Sequence, residues 1–402
     1  MPGMELFGAE ERKEVMDVLE TGALFRYNHE ELRQGNWKAR ELEEEVEIFT
    51  GANYAHAVSS GSTAVAAALA AAGVGHGDEV IVPPFTYIAP IEAVLLAGGL
   101  PVFAEIDENL CLSAEGIEKA VTKNTKAVLL VHMVGAAADM DAIMPVIEKH
   151  KLILVEDGGQ ALGAFYKGKS VGLFGKTGAF SFDFFKITTA AEGGMFITND
   201  EKAYKLADSF SDHGHNHVGL NRGMEKHPII GFNYRISELH AAIGLVQMRR
   251  INTIRENNRK NKAYMKEKLS QIPELSFRTM PDPDGDSGTF LNFFLPTTAI
   301  AKKVVKEFGI HNIAGCNYWY TNMYHFVNQW DHIMNLKSAA PLAIHQLGAP
   351  QDYKKMELPK SQDVIGRLIS LGIRATWTEE EMDKQANEMM NVIKRVLKKS
   401  LA

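Results

Sequence analysis

Cysteine is scarce in this sequence. Its 402 residues contain two, Cys111 and Cys316, which lie far apart and in no metal-binding spacing. A disulfide framework is therefore not expected, and a reducing compartment is favoured. Long apolar runs are absent as well, because the alanine-rich stretch of residues 64–72 is much shorter than the ~20 residues of a membrane span. The N-terminus carries early acidic residues and no apolar signal core. We therefore expect a cytoplasmic protein.

An excess of basic charge is also missing. The formal net charge is −7 and the pI is near 6.1, which argues against non-specific binding of nucleic acid. No Gly-x-Gly-x-x-Gly motif follows a first strand, and this argues against a nicotinamide dehydrogenase. The composition, 46% hydrophobic and 23% charged, is typical of a folded globular protein. The length suits one large domain with a smaller companion.

Short apolar runs rich in β-branched residues recur between about residues 51 and 200. Helical stretches over residues 63–72 and 139–150 lie between some of them. Near-continuous apolar strands separated by helices predict a buried, largely parallel sheet. The predicted strands are residues 79–82, 101–104, 127–131, 152–155, 179–182 and 195–198.

The second half of the chain has a different pattern. Apolar residues at helical spacing predict a long amphipathic helix that begins near residue 236 and runs past Arg255. After a loop-like segment at residues 281–285, the pattern predicts a small α+β domain with a strand at 289–295 and helices at 300–308 and 379–397. The predicted organisation is an N-terminal segment of residues 1–45, a large domain of residues 46–260 and a small domain of residues 261–402.

Lys186 is the first candidate for chemistry. It follows an apolar strand and precedes a turn of small residues, and Glu-Gly-Gly at 192–194 then leads into another apolar strand. A lysine at the end of a buried strand can be desolvated, which lowers its pKa and frees the amine for Schiff-base chemistry. Taken alone, a lysine here is more often an ordinary surface residue of a loop.

Other strand ends carry further candidates, each with a plainer alternative. Asp157 ends an apolar strand and would point into the crevice where α/β sheets bind ligands, although aspartate also caps helices. Residues 59–63 (Ser-Ser-Gly-Ser-Thr) precede a helix, where hydroxyls and free N–H groups bind anions or simply cap the helix. Phe85 follows another strand and either stacks on a flat ring or fills the core.

The order and placement of these pieces resemble the DegT/StrS family of sugar aminotransferases. The resemblance covers essentially the whole chain, from Phe25 to Trp377. It implies an α/β fold, the pyridoxal-phosphate (PLP)-dependent transferase fold type I. In this fold a large domain, with a mostly parallel central sheet flanked by helices, is joined to a smaller α+β C-terminal domain. By analogy, the segment of residues 1–45 packs with the small domain or with a partner subunit.

The family's motifs, matched by position, imply roles for individual residues. Lys186 resembles the lysine that holds PLP and later acts as the base. Asp157 resembles the carboxylate that keeps the pyridine nitrogen protonated, so that the ring is an electron sink. Gln160 is implied to contact the ring's phenolic oxygen, and Phe85 to stack on the ring. Phosphate contacts are implied for Gly61, Ser62, Thr63 and Ser181, and for Asn233 of the neighbouring subunit in a homodimer with shared sites.

Three positions depart from the family pattern. Ser62 replaces a usual threonine and keeps the hydroxyl, Ala191 replaces a glycine, and Asp183 stands where histidine is frequent. One branch of the family has histidine in place of the lysine and performs dehydration, and Lys186 argues against that branch. The resemblance therefore implies a transaminase that takes its amino group from L-glutamate.

Several segments, among them residues 25–28, 211–215 and 318–320, resemble one branch more closely. That branch aminates the C8 aldehyde of an acidic sugar, 8-oxo-3,8-dideoxy-manno-octulosonate, to give 8-amino-Kdo for lipopolysaccharide. An acidic polyol needs cationic and imidazole donors. The candidate donors are Arg26, His213, His215 and Arg222.

Alternatives stay open for the histidine-rich loop and for the function. The loop lacks cysteine or carboxylate partners at a typical spacing, so a metal site is not predicted. The acceptor could instead be a nucleotide-linked keto-deoxysugar, which requires a site that accepts a diphosphate. A PLP-binding regulatory protein without turnover is disfavoured, because Lys186, Asp157 and the phosphate hydroxyls are all present.

Overall fold

The computed structural model describes residues 2–219 and 221–401. In chain order the α-helices are α1 (Ala9–Thr21), α2 (Glu30–Arg33), α3 (Lys38–Thr50), α4 (Gly61–Ala72), α5 (Ala89–Leu96), α6 (Ala114–Ala120), α7 (Met140–His150), α8 (Glu201–Phe210), α9 (Glu238–Arg249), α10 (Ile251–Leu269), α11 (Thr298–Ile310), α12 (Asp331–Met334), α13 (Ala343–Leu347), α14 (Pro359–Arg367) and α15 (Glu379–Leu401). The strands are β1 (Tyr54–Val58), β2 (Glu79–Val82), β3 (Leu100–Phe103), β4 (Thr125–Val131), β5 (Ile153–Asp157), β6 (Phe165–Tyr166), β7 (Lys169–Ser170), β8 (Thr177–Ser181), β9 (Gly194–Thr198), β10 (Ser276–Phe277), β11 (Phe290–Phe294), β12 (Cys316–Asn317) and β13 (Leu368–Gly372).

The central sheet has seven strands in the order β1-β9-β8-β5-β4-β2-β3. Strands β3, β2, β4, β5 and β8 are parallel, whereas β9 runs antiparallel to both β8 and β1. Every residue of β2, β3, β8 and β9 is buried, which explains their continuous apolar runs. The predicted α/β fold with a mostly parallel sheet is confirmed, and the six predicted strands differ from the observed ones by at most two residues at either end. The apolar pattern does not indicate β1, because His56 interrupts its run.

The parallel order brings several strand ends to one edge of the sheet. Asp157 ends β5 and pairs in register with Ala179 of β8, four positions before Asp183 and seven before Lys186. Helix α4 begins directly after β1 and packs against β8 and β9. The carboxyl ends of β5 and β8 therefore meet the N-terminus of α4, and this is the crevice in which α/β sheets bind ligands.

A second, antiparallel sheet of four strands lies in the C-terminal part, in the order β10-β11-β13-β12. Helices α10 and α11 both contact α15, and their apolar side chains form a core distinct from that of the central sheet. The predicted strand and helices of this part are present. The domain boundaries at residues 46–260 and 261–402 stay predictions, and the chain ends at residues 1 and 402 lie outside the described residues.

The predicted long helix is interrupted at Arg250, which separates α9 from α10. Arg250 Nη1 donates to the carbonyl oxygen of Leu6 and to Glu11 Oε1, both at 2.7 Å. The turn is thereby tied to the start of the chain. No glycine or proline marks this point in the sequence, so the apolar spacing gives no indication of the break.

The N-terminal segment contacts the central part of the chain through its helices. Both α1 and α3 pack against α9. Glu5 reaches the C-terminal part, where it accepts a hydrogen bond from Thr376 Oγ1 at 3.0 Å and pairs with Arg374 Nε at 3.3 Å. Within the two described ranges, no helix has both the length and the apolar character that crossing a bilayer requires.

Candidate active site

Lys186 lies in the loop that follows β8, with its side chain half-buried. Its backbone N–H donates to the carbonyl oxygen of Asp183 at 2.9 Å, which closes a turn. Burial lowers the pKa of Lys186, while the nearby charges of Asp157 and Asp183 oppose that shift. The chain thus surrounds an amine whose neutral, nucleophilic form is favoured by its desolvation.

Asp157 lies beside this lysine at the end of β5 and is 8% exposed. Its Oδ1 accepts a hydrogen bond from the backbone N–H of Gly159 at 2.7 Å. Burial raises the pKa of Asp157, and the Gly159 N–H and the charge of Lys186 counteract the rise. A buried carboxylate with one protein donor keeps acceptor capacity for a cationic N–H of a ligand.

A buried network under Asp157 fixes the strand ends. Glu156, on the other face of β5, is fully buried and accepts hydrogen bonds from the backbone N–H groups of Gly172 and Gly175, at 2.9 and 2.6 Å. The backbone N–H of Ala138 donates to His132 Nδ1, so the proton of a neutral ring is on Nε2, which donates to Glu156 at 2.8 Å. Three donors therefore compensate the buried charge of Glu156.

The N-terminus of α4 forms a cradle with the end of β8. Ser60 caps the helix, since its hydroxyl accepts the N–H of Thr63 at 3.1 Å. A Cβ added at Gly61 would lie 2.6 Å from Ser181 Cβ, so only glycine permits this approach of helix and strand. The amides of Gly61 and Ser62 have no acceptor within the helix and, with the Ser181 hydroxyl, suit a phosphate.

Ser62 and Thr63, both predicted to bind the phosphate, differ in whether their hydroxyls are free to do so. Ser62 is exposed, and no hydrogen bond of its hydroxyl to another described residue is found. The hydroxyl of Thr63 is already engaged, because it donates to the carbonyl oxygen of Ser60 at 2.8 Å and accepts the N–H of Ser60 at 2.9 Å. The geometry therefore favours Ser62 over Thr63 as a direct side-chain contact.

Gln160 follows Asp157 closely in the chain and is half-buried. Its Oε1 accepts the backbone N–H of Val134 at 3.4 Å, and Val134 has a positive φ of 45°. The buried guanidinium of Arg278 donates to the carbonyl oxygen of the preceding Met133 at 2.7 Å. This arginine, which sequence reasoning missed, ties the C-terminal part to the loop that holds Gln160.

The aromatic wall of the site differs from expectation. Phe85 is 0% exposed and packs against Trp319, with ring centroids 6.0 Å apart, so it fills the core and has no face open to a ligand. Tyr87, two residues further, is 43% exposed. Burial and the charges of Glu92 and Asp183 raise the pKa of Tyr87, which places it near the lysine loop. The stacking role predicted for Phe85 suits Tyr87 better.

His325 was also missed. Its ring lies edge-on to Tyr87, with centroids 5.6 Å apart, and against Trp319 at 4.6 Å. Burial and, to a smaller extent, the positive charge of Lys186 together lower the pKa of His325 to about 4. No sequence spacing connects His325 with Lys186, and the fold alone brings them together.

Two of the four predicted sugar ligands, Arg26 and Arg222, are engaged by carboxylates of the chain itself. Arg26 is buried, where its Nη2 pairs with Glu43 Oε1 at 2.7 Å and its Nη1 donates to the carbonyl oxygen of Ala57 at 2.5 Å. It serves the packing of the N-terminal segment, and the prediction that it binds substrate lacks support because its guanidinium is enclosed. Arg222 Nη2 donates to Asp212 Oδ1 at 2.6 Å.

The histidine loop is held by carboxylates. His215 Nδ1 lies 2.9 Å from Glu225 Oε2, without hydrogen-bond geometry, while the His213 side chain is exposed. His217 bridges Asp208 and Asp212, at 2.7 and 2.9 Å. Among the described residues, no group of histidine, cysteine and acidic side chains is arranged to hold a metal ion.

Asn233 lies at the end of this loop. It is exposed, and its Oδ1 accepts the backbone N–H of Arg235 at 3.3 Å. Its contact with a partner's phosphate stays a prediction, as do sugar contacts by His213, His215 and Arg222.

The geometry fits PLP. Lys186 offers a desolvated amine, Asp157 a buried carboxylate with free acceptor capacity, and the cradle at Gly61 and Ser181 an anion site, all at one edge of the sheet. PLP carries an aldehyde, a pyridine nitrogen and a phosphate on one ring. The amine, the carboxylate and the anion site match these three groups in that order.

Several known proteins are similar to this chain in sequence and in fold. Residues 7–343 match the DegT/DnrJ/EryC1/StrS aminotransferase family. A GDP-perosamine synthase of Vibrio cholerae is 34% identical over 276 residues, which are 67% of this chain and 70% of that protein. A UDP-N-acetyl-3-dehydro-alpha-D-glucosamine 3-aminotransferase of Acidithiobacillus ferrooxidans is 37% identical over 243 residues, 59% of this chain and 64% of the relative. An aminotransferase structure from Psychrobacter cryohalolentis covers 97% of this chain and 98% of its own, with a TM-score of 0.80 at 27% identity.

The family match extends over most of the chain and includes the lysine loop, the cradle and the end of β5. The TM-score of 0.80 over 97% of this chain shows that the solved aminotransferase has the same overall fold. The chain therefore belongs to the DegT/DnrJ/EryC1/StrS aminotransferase family and is a PLP-dependent transaminase.

Proposed function

We propose that this transaminase moves an amino group from L-glutamate to a nucleotide-linked keto-deoxysugar. The observation that carries the reaction type is the placement of buried Asp157 beside the desolvated amine of Lys186, next to the cradle at Gly61 and Ser181. The names of the relatives, a GDP-perosamine synthase and a UDP-linked 3-aminotransferase, support a nucleotide-linked acceptor. They favour this alternative over the eight-carbon acidic sugar expected from local resemblance.

Each residue has a proposed task. PLP, when bound, supplies the electron sink and carries the amino group between the two substrates. Lys186 holds the cofactor and, once released, its low-pKa amine moves the proton from the substrate carbon. Asp157 keeps its negative charge against the cofactor's pyridinium. Gln160 is oriented by the Val134 N–H toward the same space.

The phosphate and the ring complete the proposed cofactor site. The amides of Gly61 and Ser62 and the Ser181 hydroxyl bind the phosphate at the positive end of α4. Tyr87, the exposed aromatic at the end of β2, stacks on the ring. Exchange of Tyr87 for Phe should preserve cofactor affinity, whereas exchange for Ala should weaken it by roughly tenfold, since an aromatic pair contributes ~0.5–1.5 kcal/mol beyond its area.

The proposed assembly is a homodimer. Exposed apolar side chains are concentrated in the segment that carries Asn233, including Met224 (80% exposed), Ile230 (94%) and Phe232 (62%). Large apolar side chains left exposed in one segment are typical of protein interfaces. Burial of this segment against a partner would deliver the Asn233 amide to the partner's phosphate site.

Absorbance spectroscopy of the PLP-loaded protein tests the function. L-glutamate should bleach the visible band of the cofactor, and GDP-4-keto-6-deoxymannose should restore it. Restoration by 8-oxo-3,8-dideoxy-manno-octulosonate alone would reverse the choice of acceptor. A band that no amino donor alters would instead support a PLP-binding regulatory protein, and the proposed reaction would be wrong.

A further inference from the structure

We propose that His325 is a specificity-determining residue whose Nε2 accepts a hydrogen bond from a hydroxyl of the acceptor sugar, beside the carbon that receives the amino group. The inference rests on the proposed function, since it assigns a contact of the second substrate in the same site. It concerns a residue of the C-terminal half that no sequence motif connects with Lys186.

A short antiparallel pairing delivers His325 to the site. The backbone N–H of Thr86 donates to the carbonyl oxygen of His325 at 3.0 Å, and the N–H of Val327 donates to the carbonyl oxygen of Pro84 at 2.8 Å. Phe85 and Phe326 form the bridge between these two bonds. The segment that carries His325 is therefore fixed to the loop after β2, which also carries Tyr87.

The tautomer of His325 follows from its neighbours. Asn322 Oδ1 accepts the backbone N–H of Tyr324 at 2.9 Å, which identifies this side-chain atom as the amide oxygen. His325 Nδ1 lies 2.9 Å from the same oxygen and must be the donor. The remaining nitrogen, Nε2, has a lone pair and no hydrogen-bond partner among the described residues, and the ring is half-buried.

The ring is held in one orientation and stays neutral. Trp319 packs against it at 4.6 Å between centroids, and Tyr87 meets it at 5.6 Å. Burial, with a smaller contribution from the charge of Lys186, lowers the pKa of His325 to about 4. At neutral pH the ring therefore offers a fixed acceptor and no positive charge, which suits a hydroxyl and not a carboxylate or phosphate.

Asp183 is a second hydrogen-bond acceptor near Lys186. Asp183, whose charge acts on both Lys186 and Tyr87, uses Oδ1 to accept the N–H of Phe185 at 3.0 Å. Two acceptors near the reacting amine select a substrate rich in hydroxyl donors at that point. L-glutamate has no hydroxyl, so the His325 contact belongs to the sugar half-reaction.

Two substitutions of His325 distinguish the roles of its two ring nitrogens. H325N keeps an amide near the position of Nδ1 and removes the group at Nε2, whereas H325Q places an amide near the position of Nε2. H311N, at the exposed histidine that directly follows α11, is the matched control. All three variants are loaded with PLP, and their binding of GDP-perosamine and of GDP is measured by calorimetry.

We expect H325N to bind GDP-perosamine about tenfold more weakly than the wild type, as a lost hydrogen bond to a substrate hydroxyl predicts. GDP, which lacks the sugar, should lose no more than about twofold, and H325Q should recover most of the affinity. In single-turnover absorbance, H325N should slow the sugar half-reaction at least about tenfold more than the glutamate half-reaction.

Wild-type affinity for GDP-perosamine in H325N would overturn the proposal. So would an equal weakening of GDP, because the effect would then come from a general disturbance of the site. If the wild-type protein binds GDP-perosamine no more tightly than GDP, the nucleotide-linked acceptor is wrong and the proposal fails with it. Bleaching by L-glutamate would still report the transaminase reaction separately.

Discussion

Exchange of Asp157 for Asn removes one charge from the centre of the site and leaves the shape nearly unchanged. The carboxylate is 8% exposed, has the Gly159 N–H as its protein donor and acts electrostatically on Lys186. Removal of one partner from a buried ion pair costs ~3–5 kcal/mol. Since each 1.36 kcal/mol is tenfold in rate, we expect D157N to slow the glutamate half-reaction by about 10² to 10⁴-fold.

The assay is stopped-flow absorbance, with the visible band of the PLP-loaded protein followed after addition of L-glutamate. D157E keeps the charge and serves as the control, which should retain more activity than D157N. The melting temperature of cofactor-free D157N should not fall, because an amide costs less to bury than a carboxylate and the Lys186 amine, whose pKa burial lowers, can lose its proton. A rate for D157N within about fivefold of the wild type would refute the assignment of Asp157, since a charge pair in a buried site cannot contribute so little.

Three further substitutions or conditions test the structure. Burial opposes the charge of His217, but hydrogen bonds to Asp208 and Asp212 outweigh it and raise the pKa of His217 from 6.5 to about 9. Because the pKa of His217 is higher in the folded than in the unfolded protein, its ion pairs stabilise the fold fully below pH 6.5, and this stabilisation is lost as the pH rises to about 9. Urea titrations should therefore show that the free energy of unfolding decreases by on the order of 2 kcal/mol over this range, after allowance for solvent screening. H217N should abolish this pH dependence, and an unchanged profile would contradict the bridge. Ala191 adopts a φ of 66°, and A191G should stabilise the fold by ~0.5–1 kcal/mol in the same titrations, whereas destabilisation would mean that the loop does not hold this conformation. G61A would force a Cβ to 2.6 Å from Ser181 Cβ, and we expect cofactor affinity to fall at least about tenfold in a fluorescence titration, with wild-type affinity as the contrary result.

Six of the seven strands of the central sheet were predictable because burial on both faces makes their sequences largely apolar. Strand β2, for example, is Glu-Val-Ile-Val with every residue buried. The same pattern places Asp157 and the Lys186 loop at strand ends, and parallel strands bring their carboxyl ends to one edge. Local sequence patterns are therefore sufficient to predict that Asp157 and Lys186 belong to one site.

The remaining contacts depend on tertiary packing that local patterns do not carry. Phe85 and Tyr87 are aromatic neighbours after one strand, and only the position of Trp319 decides that Phe85 is enclosed and Tyr87 exposed. From the sequence, Arg26 was predicted to bind the acidic sugar, but its guanidinium pairs with Glu43 of α3. His325 reaches the lysine through a backbone pairing between distant segments.

The central claim is that Lys186 carries the cofactor, and covalent trapping tests it most directly. Borohydride reduction of the PLP-loaded protein fixes the cofactor to its lysine, and mass spectrometry of the digested protein locates the modified residue. We expect the modification on Lys186, and we expect K186A loaded with PLP to lack the visible absorbance band that borohydride removes. Modification of a different lysine, or a normal band in K186A, would contradict the account.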